Sequence, residues 1–221
     1  ITTRPLDVTG ITVFGLTVNN KIYDGTTTAP LDTSNISYSG LVAGDDFTGT
    51  YSGVFADANV GTGKTVTITS SYTGADVGNY SVTDQSSATG NIVAKTLTAT
   101  ASTSNKTYDG TTTATTTLTF SGLVGSETLG QTVGSTFNNK NVGTGKTVTV
   151  NSITLADGTG LAANYSISPG QTTTAHIAKK SLTVSSISAT DKTYNGNDVA
   201  TSTITLSGFI GTETVTSTNS S

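Results

Sequence analysis

The chain of 221 residues has no cysteine, no methionine, no tryptophan and a single histidine, His176. Without cysteine no disulfide can staple a loop, and no thiolate can serve as nucleophile or soft metal ligand. One histidine supplies no histidine cluster for a metal, no Gly-x-Ser-x-Gly segment presents an activated serine, and Asp45-Asp46 brings too few carboxylates for a calcium cage. The charged fraction is 11%, with a net charge of −4. Nucleic acid and anionic membranes both call for clustered lysine and arginine, so neither is an expected partner. No apolar run nears the about 18 residues of a transmembrane helix. The first residues lack the basic start and apolar stretch of a signal peptide, and a chain opening Ile1-Thr2-Thr3-Arg4 reads as a fragment or processed product. These absences argue against an enzyme, and no catalytic, cofactor-binding or metal-binding residue is assigned.

What is present points to β structure. Threonine outnumbers every other residue, valine is frequent, and 25 glycines with many Asn, Asp and Ser supply turns. β-Branched side chains suit a pleated surface, and the strong helix formers are scarce. An all-β fold with almost no helix follows. Low charge, Thr/Ser richness and the absence of thiols suit an extracellular location.

The segments repeat at a fixed period. Lys21-Ile22-Tyr23-Asp24-Gly25-Thr26 returns as Lys106-Thr107-Tyr108-Asp109-Gly110-Thr111 and, more weakly, as Lys192-Thr193-Tyr194-Asn195-Gly196, the tyrosines being 85 and 86 positions apart. Ser39-Gly40-Leu41-Val42 returns at Ser121-Gly122-Leu123-Val124 and Ser207-Gly208-Phe209-Ile210; Asn79-Tyr80-Ser81 returns at Asn164-Tyr165-Ser166; Ile92-Val93-Ala94-Lys95 returns at Ile177-Ala178-Lys179-Lys180. Fixed-period similarity is the signature of a tandem array. Its phasing divides the chain into 1–15, a closing strand of a preceding repeat and a connector; 16–98 and 99–184, two complete repeats; and 185–221, an incomplete third. Alternating segments such as Lys64-Thr65-Val66-Thr67-Ile68-Thr69, separated by turn clusters, predict tandem Ig-like β-sandwiches. Joints without a Pro- or Gly-rich linker make the array an elongated rod.

Two motifs invite a functional reading. VGTGKTVT stands at 60–67 and again at 142–149, resembling the end of a phosphate-binding loop. Ala58 and Lys140 occupy the place of the first glycine, and both copies run on as alternating strand, so a glycine turn with solvated strand-start lysines, Lys64 and Lys146, is expected. The structural motif of the repeat is Tyr23-Asp24-Gly25, Tyr108-Asp109-Gly110 and Tyr194-Asn195-Gly196. Asp-Gly and Asn-Gly are turn dipeptides, and the tyrosine is expected to pack its ring and find a partner for its hydroxyl. The functional alternative is glycan stacking on Tyr23 and Tyr108. An amide cross-link from the motif lysine is a further reading, and the N-x-Ser/Thr matches are expected by chance in so Thr/Ser-rich a chain.

The ordered motifs KxYDGTTTA, SGLV, NVGTGKTVTV, NYS and the closing IAKKxLTV resemble the YDG repeat, a β-rich module related to the MBG repeats. The resemblance implies a segment of a large secreted surface protein of Gram-negative bacteria, similar to filamentous-haemagglutinin-like adhesins exported by two-partner secretion. It implies a stalk or filament module in an adhesin or biofilm matrix, with neighbouring repeats or copies of itself as partners. Two alternatives are a lectin-like module for surface or matrix polysaccharide and a filament subunit in which the leading strand, Asp7 to Leu16, completes a neighbouring chain.

Overall fold

The computed structural model describes residues 9–215, so the reading of residues 1–8 and the end of the third repeat lie outside it. The described chain is almost wholly β structure. Its only helical turns are two 3-10 turns, Val77–Asn79 and Ala162–Asn164, each leading into a tyrosine. Among the described residues no helix is long and apolar enough to cross a membrane. Pairing is spread over curled sheets of two to five strands. Two compact units partition the chain. The first runs to Thr98 and also takes Phe120–Gly130 and Leu155–Ile167; the second takes Ala99–Thr119, Gln131–Thr154 and the chain from Ser168.

In the first unit, strand Thr48–Phe55 pairs antiparallel with Gly61–Thr73, running from Thr48 opposite Thr73 to Phe55 opposite Val66. The alternation drives Val66 and Ile68 inward and leaves Thr65, Thr67 and Thr69 outside, as a period-two pattern requires. Ser87–Val93 extends this sheet, and Lys21–Ile22 pairs parallel to its end. The main core gathers Leu16, Tyr23, Phe55, Val66, Ile68, Ile92, Leu97 and Tyr165, with Leu123, Val124, Leu129, Leu155 and Ile167 packed against it. A second core in the same unit centres on Phe47, whose ring meets Tyr72 at 5.1 Å, Tyr38 at 5.3 Å and Tyr80 at 5.9 Å, above Ile11 and Val13.

Strand Thr9–Phe14 corrects the phasing. Read as the tail of a preceding repeat and a connector, it pairs instead within the first repeat, parallel to Tyr80–Thr83 and antiparallel to Ser37–Ser39. Thr9 lies opposite Tyr80 as Lys95 lies opposite Tyr165, so Thr9 and Lys95 are the equivalent positions. Buried Ile11 and Val13 hold it there. Both edges of this strand are thus paired within the first repeat.

The second unit holds strands Lys106–Thr107 and Thr172–Ala178, parallel to each other, and Thr172–Ala178 pairs antiparallel with Gly143–Asp157. Its smaller core is Ala114, Phe137, Val148, Ala175 and Ile177, with Tyr108 half-buried beside it. The hairpin Thr183–Ala189 with Ser202–Ser207 begins the third repeat, and every residue of its first strand is exposed.

Candidate functional site

The Tyr-Asp-Gly turn is built from its lysine. Strand Lys21–Ile22 delivers the chain to Tyr23, whose amide donates to the Val93 carbonyl at 2.9 Å. Gly25, Gly110 and Gly196 then take φ of +77°, +77° and +79°, and no described residue other than glycine has a positive φ. One oxygen of Asp24 accepts both the amide and the hydroxyl of Thr26 at 2.8 Å, an Asx turn. Lys21, only 9% exposed, donates to the Thr26 carbonyl at 2.8 Å, the Thr26 hydroxyl at 2.7 Å and the Thr28 carbonyl at 2.9 Å, and pairs with Asp24 at 2.8 Å.

The second copy repeats this atom for atom. Lys106 donates to Asp109 at 2.8 Å, to the Thr111 carbonyl at 2.9 Å and hydroxyl at 3.0 Å, and to the Thr113 carbonyl at 3.0 Å. In the third, Lys192 reaches Asn195 at 3.0 Å and Asn197 at 2.6 Å through both its carbonyl and its side chain. Burial pushes the Asp24 carboxyl up, but Lys21 and the bonds from Thr26 outweigh it and hold it below the usual range. The Lys106 bond, followed by those from Thr111, brings Asp109 down to about 2. The lysine is a clamp closing a loop on itself, a role that its fixed place two residues before the tyrosine signalled without revealing.

The tyrosine faces the other way. Tyr23 is 5% exposed and donates its hydroxyl to Glu127 Oε1 at 2.6 Å. Glu127 Oε2 accepts the Tyr165 hydroxyl at 2.5 Å, that hydroxyl accepts the Val124 amide at 2.9 Å, and the two rings meet edge to face at 5.4 Å. Asn164, fully buried, accepts the Val60 amide at 2.9 Å and donates to Asn59 at 3.0 Å. Burial and then the adjoining carboxylate raise the Tyr23 hydroxyl to about 12; the same two causes raise Tyr165. In the second unit Tyr108 donates to Glu213 in the same manner, and the bond to that carboxylate raises its hydroxyl. Tyr23 and Tyr108 thus each engage the carboxylate that follows the Ser-Gly-Leu-Val or Ser-Gly-Phe-Ile segment of the next repeat. Tyr194 is 92% exposed. In the first repeat the equivalent carboxylate is Asp45, which accepts the Tyr80 hydroxyl at 2.5 Å. Glu127 and Glu213 were missed from sequence, although a carboxylate at the same place in all three repeats was the available signal.

The VGTGKT segments are bulged strand ends. Gly63 and Gly145 have φ of +60° and +59°, and their amides donate to Asn91 at 2.8 Å and His176 Nδ1 at 2.9 Å, so those N–H groups are spent inside the fold. Lys64 and Lys146 are not free in solvent as expected. Lys64 is 13% exposed and pairs with Asp57 at 2.6 Å, and Lys146 donates to Asn139 at 2.6 Å, because the turn before each strand folds an Asx residue back over it. Asp46 accepts the Ala75 amide at 3.0 Å and its own amide donates to Asp76 at 2.9 Å, so it ties its loop to the one that follows Gly74. Among the described residues no three His, Cys, Asp or Glu side chains converge.

A nearly all-β chain whose repeats each carry a lysine-clamped turn, and in which Tyr23 and Tyr108 bond a carboxylate of the following repeat, is a tandem-repeat protein with inter-repeat polar locks. The YDG domain family model matches residues 4–89 and again 93–175, so the chain belongs to the YDG domain family and carries two copies. No curated protein and no solved structure matches it.

Proposed function

We propose that the chain is a structural stalk or filament segment of an extracellular bacterial adhesin or biofilm-matrix protein, its Ig-like β-sandwich repeats forming a rod that spaces or bears load. The observation that carries this reading is the recurrence of one lock: Tyr23 on Glu127 and Tyr108 on Glu213 tie each repeat to the next with the same pair of groups. A ligand site needs its polar groups free to face the ligand, whereas here the motif's side chains bond one another or the neighbouring repeat. The Tyr23 ring is buried against Tyr165, which leaves no open face for a sugar to stack on. The family resemblance supports Gram-negative surface display, and low charge without thiols suits an extracellular location. Small-angle scattering of arrays with increasing numbers of these repeats tests the proposal. A maximum dimension that grows by a constant increment per repeat supports the rod; dimensions that grow as those of a compact particle would sink it.

A further inference from the structure

We infer that Asn195 is a site of spontaneous covalent modification: in the folded turn it gives up its side-chain amide as ammonia through a cyclic imide, with Lys192 as the activating group. Asn195-Gly196 is the only Asn-Gly dipeptide in the chain, and it stands where the two complete repeats carry Asp24-Gly25 and Asp109-Gly110. The reaction needs the amide nitrogen of the next residue to reach the asparagine side-chain carbon. Glycine, having no Cβ, hinders that approach least.

The turn arranges both reacting groups. The Lys192 ammonium donates to Asn195 Oδ1 at 3.0 Å, and the Asn197 amide donates to the same oxygen at 3.3 Å. Both draw electron density from Cγ and stabilise the negative charge that grows on Oδ1 under attack. Bonds from Lys192 to the carbonyl and side-chain oxygens of Asn197, each at 2.6 Å, hold the ammonium in place. On the nucleophile's side, Gly196 takes φ of +79°, a Cβ built there would meet nothing within 4 Å, and its amide has no hydrogen-bond partner among the described residues. Water reaches this position in the complete repeats as well, where the side chains of Asp24 and Asp109 are 51% exposed.

The step balances without oxidant or reductant. Hydroxide takes the Gly196 amide proton, the nitrogen forms a bond to Asn195 Cγ, and the Cγ–Nδ2 bond breaks, its nitrogen taking a proton from water to leave as ammonia. Water then opens the five-membered imide at either carbonyl, so that asparagine and water become ammonia and an aspartyl or isoaspartyl residue. The aspartyl product sets a carboxylate beside Lys192, as Asp24 stands beside Lys21 and Asp109 beside Lys106. The isoaspartyl product adds a carbon to the main chain and loses the turn. Asp24 and Asp109 are spared, because an ionised carboxylate is a poor electrophile.

The test is peptide mapping by mass spectrometry after the whole chain has been held in mildly alkaline buffer. Trypsin cleavage after Lys192 releases residues 193–221 as one peptide, and in Lys192→Met the peptide is 181–221. Fragment ions should place a gain of about 1 Da on Asn195. The rate should fall by about 10-fold or more in Lys192→Met, which removes the charged donor from Oδ1. It should also fall when the parent is held in urea, which releases the clamp. Far-UV circular dichroism of Lys192→Met matching the parent separates loss of the donor from loss of the fold. No gain at Asn195, an equal gain at Asn197, or a rate unchanged or raised by both Lys192→Met and urea would overturn the assignment.

Discussion

Lys21 is a cation almost wholly removed from water, yet its ammonium has four oxygens within reach, so its desolvation is offset by a full set of charge-assisted bonds. Replacing it with methionine keeps the stem but strands Asp24 and the carbonyls of Thr26 and Thr28. Urea unfolding of Lys21→Met should show a loss of about 1–3 kcal/mol. The glycine beside it separates strain from crowding. A Cβ on Gly25 would lie 3.0 Å from Val124 Cγ1, whereas one on Gly196 would meet nothing within 4 Å, at nearly the same φ. Gly196→Ala should therefore cost only the left-handed penalty of about 1–2 kcal/mol, and Gly25→Ala measurably more, in paired denaturant titrations. The turn and lock also set opposite pH limits. Asp109 is depressed to about 2, so its contribution is whole above about pH 4 and is lost as pH falls through about 2. Tyr23 is raised to about 12, so its contribution is whole below about pH 10 and is lost as pH rises through about 12. Stability measured from pH 9 to 12 should fall less steeply in Tyr23→Phe than in the parent.

At the scale of the strand, the VGTGKT bulge shows how one glycine shapes an element. The register of Gly61–Thr73 against Ser87–Val93 shifts between Gly90 and Ile92, and the equivalent shift in the second repeat falls between Gly143 and Lys146. A bulge sharpens the local twist, and the freed amide of Gly63 or Gly145 is taken by the side chain at Asn91 or His176. Beyond the bulge the strand alternates regularly, so its inward residues carry the burial energy. Phe55 is 1% exposed in the main core, while Phe14 is 49% exposed on its strand. Phe55→Ala should cost about 3–5 kcal/mol in equilibrium unfolding, and Phe14→Ala should stay near the roughly 0.5 kcal/mol of surface substitutions.

At the scale of the whole molecule, the sequence period and the folding unit part company. Phe120–Gly130 and Leu155–Ile167 belong by sequence to the second repeat and by packing to the first compact unit. Leu123, Val124, Leu129, Leu155, Ile167 and Tyr165 complete the core that Phe55 and Val66 begin. A fragment of residues 99–184 would bare this apolar set. It should melt at lower temperature and less cooperatively than the 221-residue chain, and bind more of a hydrophobic dye; a fragment as stable as the whole would show that a sequence repeat folds alone. The inter-repeat lock adds to this coupling, because Glu127 serves two tyrosines from different repeats.

The sequence by itself determined the all-β character, the period and the turn, because composition, alternation and Asp-Gly chemistry are local properties legible from neighbours along the chain. It also foretold that each VGTGKT runs on as strand, as Gly61–Thr73 and Gly143–Asp157 do. Only the tertiary structure decided what the motif residues touch. Lys21 acts on Thr26 and Thr28 by folding back within its own loop, while Tyr23 acts on Glu127, a residue 104 positions away. It also placed Thr9–Phe14 inside the first repeat, because a strand belongs to whichever edge buries its alternate side chains, and here burial of Ile11 and Val13 against Phe47 set the partner that alignment alone assigned elsewhere.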